Sequence, residues 1–143
     1  MNLEIRQIIP DSDPKDFSKS VSLVESKLGK PIDSEQYANE HTNNEVILCA
    51  KDEQARVLAM IAIEFAQQDR SLRLTAGAVS VENGEEEANS AMGSLFSKAK
   101  SIGKLVGRES IVVNTYDVSK IEEFLADNGF EQSSPNVLVS SVE

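Results

Sequence analysis

The chain has 143 residues, with 24 Asp and Glu against 14 Lys and Arg and a formal net charge of −10. That balance works against unaided binding to nucleic acid or to an acidic membrane, because phosphate contacts need clustered cations. With 40% hydrophobic residues, 5% aromatics and no Trp, the length suits one domain with an aliphatic core that buries roughly two-thirds of its unfolded surface.

No apolar run approaches the roughly 20 residues needed to span a bilayer. The start MNLEIRQII has neither the basic nor the apolar region of a signal peptide. The single cysteine, Cys49, rules out an internal disulfide, and the expectation is a reduced, cytoplasmic setting. The carboxylates are scattered except at Glu85-Glu86-Glu87, so the acidity reads as solubility. The alternative, docking to a basic partner, rests on that one cluster.

Leu3 to Ile9 reads as a first strand. Pro10 and Asp11-Ser12-Asp13-Pro14 mark a turn into a helix, with Asp13 as N-cap and Pro14 in the first turn. Phe17, Val21, Val24 and Leu28 recur at helical spacing, and Gly29 ends the pattern. Ser34 to Ala38 suits a short second helix and Thr42-Asn43-Asn44 a turn. Three strands follow, Val46–Ala50, Val57–Phe65 and Leu72–Val81. The second of these is nearly all apolar, as in a central strand covered on both faces.

After Asn83-Gly84 the period becomes helical: Ala88, Ala91, Met92, Leu95, Phe96, Ala99 and Ile102 form one stripe, ended by Gly103 or Gly107. A strand over Ile111–Asn114 comes next. Ser119 and Glu122 then have the spacing of a capping box, and Ile121, Phe124 and Leu125 give the following helix an apolar face. Asn128-Gly129 supplies its left-handed end, with Phe130 able to pack back. A polar spacer, EQSSPN, leads to a last strand, VLVSSV. The order is β-α-(α)-β-β-β-α-β-α-β, without repeats or linkers, and implies a mixed α/β sheet.

The strand SIVVNTY, the capped helix and its Gly-Phe ending resemble the C-terminal end of the GNAT acyltransferase superfamily, where such a helix sits beside the acyl-CoA thioester. The order of elements is similar to the GNAT fold over almost the whole chain. The sequence-specific likeness is confined to the last quarter and the helix after Val81. The resemblance implies a single-domain α/β fold with a mixed, mostly antiparallel central sheet flanked by helices. It also implies acetyl-CoA as donor and a small-molecule or protein amine as acceptor.

In GNAT enzymes a Gln/Arg-x-x-Gly-x-Gly/Ala loop opens the helix after the fourth strand and binds the pyrophosphate through backbone amides. The matching stretch here is Glu85-Glu86-Glu87-Ala88-Asn89-Ser90. Ala88, Ser90, Ala91 and Gly93 keep the small size, but the glycines and the basic residue are replaced. Acidic residues in a first turn also favour the helix dipole. At an effective dielectric of about 20, one like-charge contact at about 4 Å costs on the order of 4 kcal/mol before screening. The resemblance places Val79, Val81, Ala88, Ser90, Ala91 and Phe124 against the carrier.

The family's general acid, commonly Tyr, falls on Leu125, with Phe124 just before it, and neither donates a proton. Tyr116 is the nearby phenol and the substitute candidate, the alternative being ordinary packing. Glu64, in AMIAIEF, is the candidate base, and burial would raise its pKa; exposure at a strand end is the other reading. Gly77 marks either a bulge where the carrier's arm inserts or relief of crowding against a helix. His41 has no second His or Cys beside it, so no metal site is expected. Cys49 reads as a buried small hydrophobe. Asp33, Glu35, Glu40 and His41 lie where the fold lines its acceptor side, which makes a cationic amine conceivable.

Two functions remain open: an acyl-CoA-dependent N-acetyltransferase with a degenerate pyrophosphate loop, and a catalytically inactive GNAT-fold domain that has lost acetyl-CoA and binds a partner protein or forms a homodimer.

Overall fold

The computed structural model describes residues 3–41, 45–65, 70–80, 82, 84–114 and 122–143, with the backbone alone at 28, 34, 39–41 and 122. In chain order the elements are β1 (Glu4–Ile8), α1 (Pro14–Leu28), α2 (Ser34–His41), β2 (Glu45–Lys51), β3 (Val57–Phe65), β4 (Ser71–Val79), α3 (Glu85–Leu105), β5 (Ser110–Asn114), α4 (Glu122–Asp127), β6 (Glu131–Ser134) and β7 (Val137–Ser141). The strands form one seven-stranded sheet in the order β1-β2-β3-β4-β5-β7-β6. Every neighbouring pair is antiparallel except β4 and β5. A parallel pair needs a crossover, and α3 supplies it.

The sheet separates two apolar layers. On one face Phe17, Val21 and Val24 of α1 cover Cys49, Met60 and Ala62; on the other Met92, Leu95 and Phe96 of α3 cover Ile61, Ile63 and Leu74. All residues of β3 from Ala59 to Ile63 are fully buried, so the unbroken apolar run VLAMIAI is that of a strand covered on both sides.

β4 changes face partway along. Ala62 pairs with Ala76 but the next residue, Ile63, pairs with Leu74. Thr75 is therefore the extra residue of a bulge, and its hydroxyl donates to the Ala62 carbonyl over 3.2 Å. Leu72 and Leu74 pack with α3, whereas Ala76 and Ala78 pack with α1. The bulge lies at Thr75 rather than at Gly77, which pairs in register with Ile61. Among the described residues, pairing with β5 covers Ser71–Leu74 opposite Ser110–Val113. Beyond the bulge, β4 runs four residues to Val79 without a described partner on that side.

Some local expectations change. Asp13 precedes α1 but makes no side-chain cap; its carboxylate turns back to Arg6 at 2.8 Å and to the Ile9 amide. The nearby guanidinium outcompetes the helix amides for it. α3 runs through Gly103 to Leu105, and the left-handed residue is Gly107, φ 76°. The spacer EQSS is strand β6, every residue exposed, and Asn136 at φ 67° turns the chain into β7. An all-polar edge strand carries no alternation, which is why its pattern reads as a spacer. The ending after α4 forms as expected: Gly129 has φ 89°, and the Phe130 amide donates to the Leu125 carbonyl. Phe130 then packs edge-on against Phe96, ring centres 5.3 Å apart. The proposed Ser119–Glu122 capping box lies outside what is described, as do Ile121 and the turn at 42–44.

Candidate functional site

Past the last described β4–β5 pair, Leu74 and Val113, a cavity of about 620 Å³ lies between α1, the start of β3 and the end of β4. Its apolar lining includes Val57, Leu58 and Val79, with Phe124 of α4. The opposing wall is one stripe of α1, made of Lys19, Ser22, Leu23, Ser26 and Lys27, a spacing that keeps one helical face together. The face of α1 that carries Phe17, Val21 and Val24 is sealed against the sheet, each 5% exposed or less. One helix thus holds the sheet with one side and lines the cavity with the flank.

Charges of both signs line the cavity. Lys19, Lys27 and Arg56 line it, against the carboxylates of Glu82 and Glu123. Lys19 Nζ donates to the Ala55 carbonyl over 3.1 Å and Lys27 Nζ to the Gly77 carbonyl over 2.7 Å. Arg56 Nε is 2.6 Å from Asp52 Oδ2. Desolvation is the largest single influence on Asp52 and raises its carboxyl, but the hydrogen bonds from the Arg56 backbone and side chain and the Gln54 amide, with the Arg56 charge, together outweigh it, so the carboxyl lies below the usual range.

Of the residues singled out from sequence, Val79 and Phe124 line the cavity. Ala88 and Ala91 lie on the core face of α3, at most 1% exposed. Ser90 is exposed, in a shallow groove beside Ile5 on another side of that helix. Val81 and Tyr116 lie outside the described residues. Glu85 and Glu86 are exposed and Glu87 half-buried, and none of the three is among the residues lining the cavity. α3 opens from Gly84, at φ 98°. Leu125 is fully buried.

Glu64 is half-buried and pairs across the sheet with Glu45 and Arg73. It shares the α1 face of β3 with Met60 and Ala62 by alternation. It stands three residues above Ile61, the partner of Gly77, or about 10 Å along the strand at roughly 3.3 Å per residue. It is therefore near the bulge, on the closed side of it. Asp33, considered for an acceptor amine, caps α2 through the Glu35 and Gln36 amides. The cations of the α1 stripe escaped the sequence reading because only the apolar stripe of that helix was followed. The polar spacing at 19, 22–23 and 26–27 was the available signal.

No family model matches the chain, and no curated protein matches it. Solved structures do. An aminoglycoside 6'-N-acetyltransferase from Enterococcus faecium superposes with a TM-score of 0.74 at 12% identity, over 98% of this chain and 97% of that one. A GNAT-family acetyltransferase from Staphylococcus aureus Mu50 gives 0.69 at 13%, over 99% and 100%. An aminoglycoside 6'-N-acetyltransferase complexed with coenzyme A gives 0.72 at 10%, over 98% and 97%. The chain has the GNAT acetyltransferase fold from end to end.

Proposed function

We propose that this protein is an N-acetyltransferase that moves an acetyl group from acetyl-CoA to an amine. The observation that carries the reading is a cavity of about 620 Å³ beside the end of β4, at Val79, past the bulge at Thr75 and the described β4–β5 pairing. A solved neighbour of the same fold is complexed with coenzyme A. The residues present fit such a donor. Leu23, Val57, Leu58, Val79 and Phe124 offer an apolar bed, and β4 beyond Thr75 offers backbone groups to an amide-bearing arm. The volume lies within the usual range for small-molecule sites.

In this reading Glu64 accepts a proton from the acceptor nitrogen as that nitrogen attacks the thioester carbonyl carbon. The C–S bond breaks, and Tyr116 gives its proton to the sulfur. The fully buried Cys49 accords with a reduced, cytoplasmic setting. Among the described residues no helix is long and apolar enough to cross a membrane.

A second reading is favoured by Glu85, Glu86 and Glu87 in the first turn of α3: a binding domain without acetyl-CoA, acting on a partner protein or as a homodimer. Melting with and without acetyl-CoA separates the two. Saturation at about 100 times the dissociation constant adds about 2.7 kcal/mol, which raises the midpoint by about 5 °C or more. An unchanged midpoint and no heat of binding would reject the transferase reading. Acetyl transfer to a panel of amines, lost in Glu64→Gln, completes the test.

A further inference from the structure

We infer that Lys100 and Asn128 are positioning residues for the cavity. Through two successive hydrogen bonds they tie Phe124 of α4, and with it the grip on the acyl carrier, to α3. The inference rests on the transferase reading and goes beyond it by giving a role to two residues outside the cavity lining.

α4 is six residues long, and helices that short are held by tertiary contacts rather than by their own hydrogen bonds. Its last turn has no basic residue, although the final carbonyls of a helix lack partners within it and attract a cation. α3 supplies that cation. Lys100 Nζ donates to the Asn128 carbonyl over 2.9 Å. The Asn128 amide donates to the Leu125 carbonyl, and its side-chain Nδ2 donates to the Phe124 carbonyl over 2.6 Å. The relay therefore ends on the backbone of a residue that lines the cavity. Phe124 is only 3% exposed, so its ring moves with that backbone.

One face of α3 forms the seat. Gly93, Phe96 and Lys100 recur at i, i+3 and i+7, a spacing that keeps them on one side of the helix. A Cβ at Gly93 would lie 3.5 Å from Asn128 Oδ1, and a Cβ at Gly129 would lie 3.5 Å from Lys100 Nζ. Phe96 meets Phe130 edge-on at 5.3 Å between ring centres. All three thus border the segment from Asn128 to Phe130, and the two glycines leave the room in which Lys100 and Asn128 reach their partners.

Calorimetric titration of the whole chain with coenzyme A tests the assignment. Lys100→Met keeps the aliphatic stem and removes the first donor, and Asn128→Ala removes the second. Each should weaken coenzyme A by about fivefold, the worth of one typical hydrogen bond. Lys100→Arg, which keeps a charged donor, should stay within about twofold of the unmodified chain. In a double-mutant cycle with Phe124→Leu, the loss from Lys100→Met should shrink to about twofold or less, because a residue that acts through the ring adds little once the ring is gone. Titrations run below the melting transition of every variant leave affinity untouched by a purely structural loss of stability. Coenzyme A bound as tightly by Lys100→Met and Asn128→Ala as by the unmodified chain would overturn the inference and leave the transferase reading intact. Fully additive losses in the cycle would do the same. Coenzyme A failing to bind the unmodified chain would overturn both.

Discussion

Lys27 on α1 donates a hydrogen bond of 2.7 Å to the carbonyl oxygen of Gly77, on the stretch of β4 beyond its pairing with β5. A helix side chain thus serves a strand carbonyl on the stretch of β4 past its bulge. Lys27→Met keeps the aliphatic stem and removes the donor. It should lower stability by about 1–2 kcal/mol, read as a lower urea midpoint at an unchanged slope.

Gly103 sits inside α3 against the end of the chain. A Cβ there would lie 2.8 Å from Val142 Cγ1 and 3.3 Å from Leu72 Cδ1. Both neighbours are buried, so Gly103→Ala should cost about 1–3 kcal/mol by overpacking, against the usual gain from Ala in a helix. Because Val142 is the closer obstacle, Gly103→Ala with Val142→Ala should cost less than the sum of the single changes in a double-mutant cycle.

Lys51 at the end of β2 meets Asp16 of α1 at 3.1 Å, with 14% and 11% of the two side chains exposed. Lys51→Met would strand the carboxylate beside Cys49. The expected loss is about 2 kcal/mol, below the range for fully buried pairs because some solvent remains. Asp16→Asn on that background should restore part of it, measured by denaturant melts.

Stability should fall above neutral pH for two buried groups. Burial, and next the nearby Glu45, push the Tyr37 phenol from 10.0 to about 12. Burial, then Asp16, push the Cys49 thiol from 9.0 to about 11. Each folded-state value lies above the unfolded one, so the contribution is complete below the unfolded value and is lost as pH rises towards the folded one. The decline should span about pH 9–11 for Cys49 and pH 10–12 for Tyr37. Cys49→Ala and Tyr37→Phe should each flatten their part of the curve. Cys49, with no exposed surface, should resist thiol reagents at pH 8 until the protein unfolds.

Much of the architecture was legible because burial leaves a period in the sequence. The stripe from Ala88 to Ala99 is that of α3, at most 1% exposed throughout, and the uninterrupted Val57–Phe65 run is β3. Asn128-Gly129-Phe130 announced the end of α4 through the backbone freedom that only Gly supplies at φ 89°. β6 was illegible, since four exposed polar residues form a strand only because β7 offers a ladder. The same holds for Thr75: nothing local marks it as a bulge, because a bulge is a relation between two strands.

The candidate site divides in the same way. Val79 and Phe124 were reached through the resemblance of the fold, and both line the cavity. Lys19, Lys27 and Arg56 were not reached, because a cation on a helix flank looks the same in sequence whether it faces solvent or a cleft. Local spacing by itself determined the main helices, the central strands and their two apolar layers, because periodicity records which side of an element meets the core. Tertiary structure alone decided where the cavity lies and which charges border it. Both depend on strand register and on helix placement across long sequence separations, which no window of neighbouring residues contains.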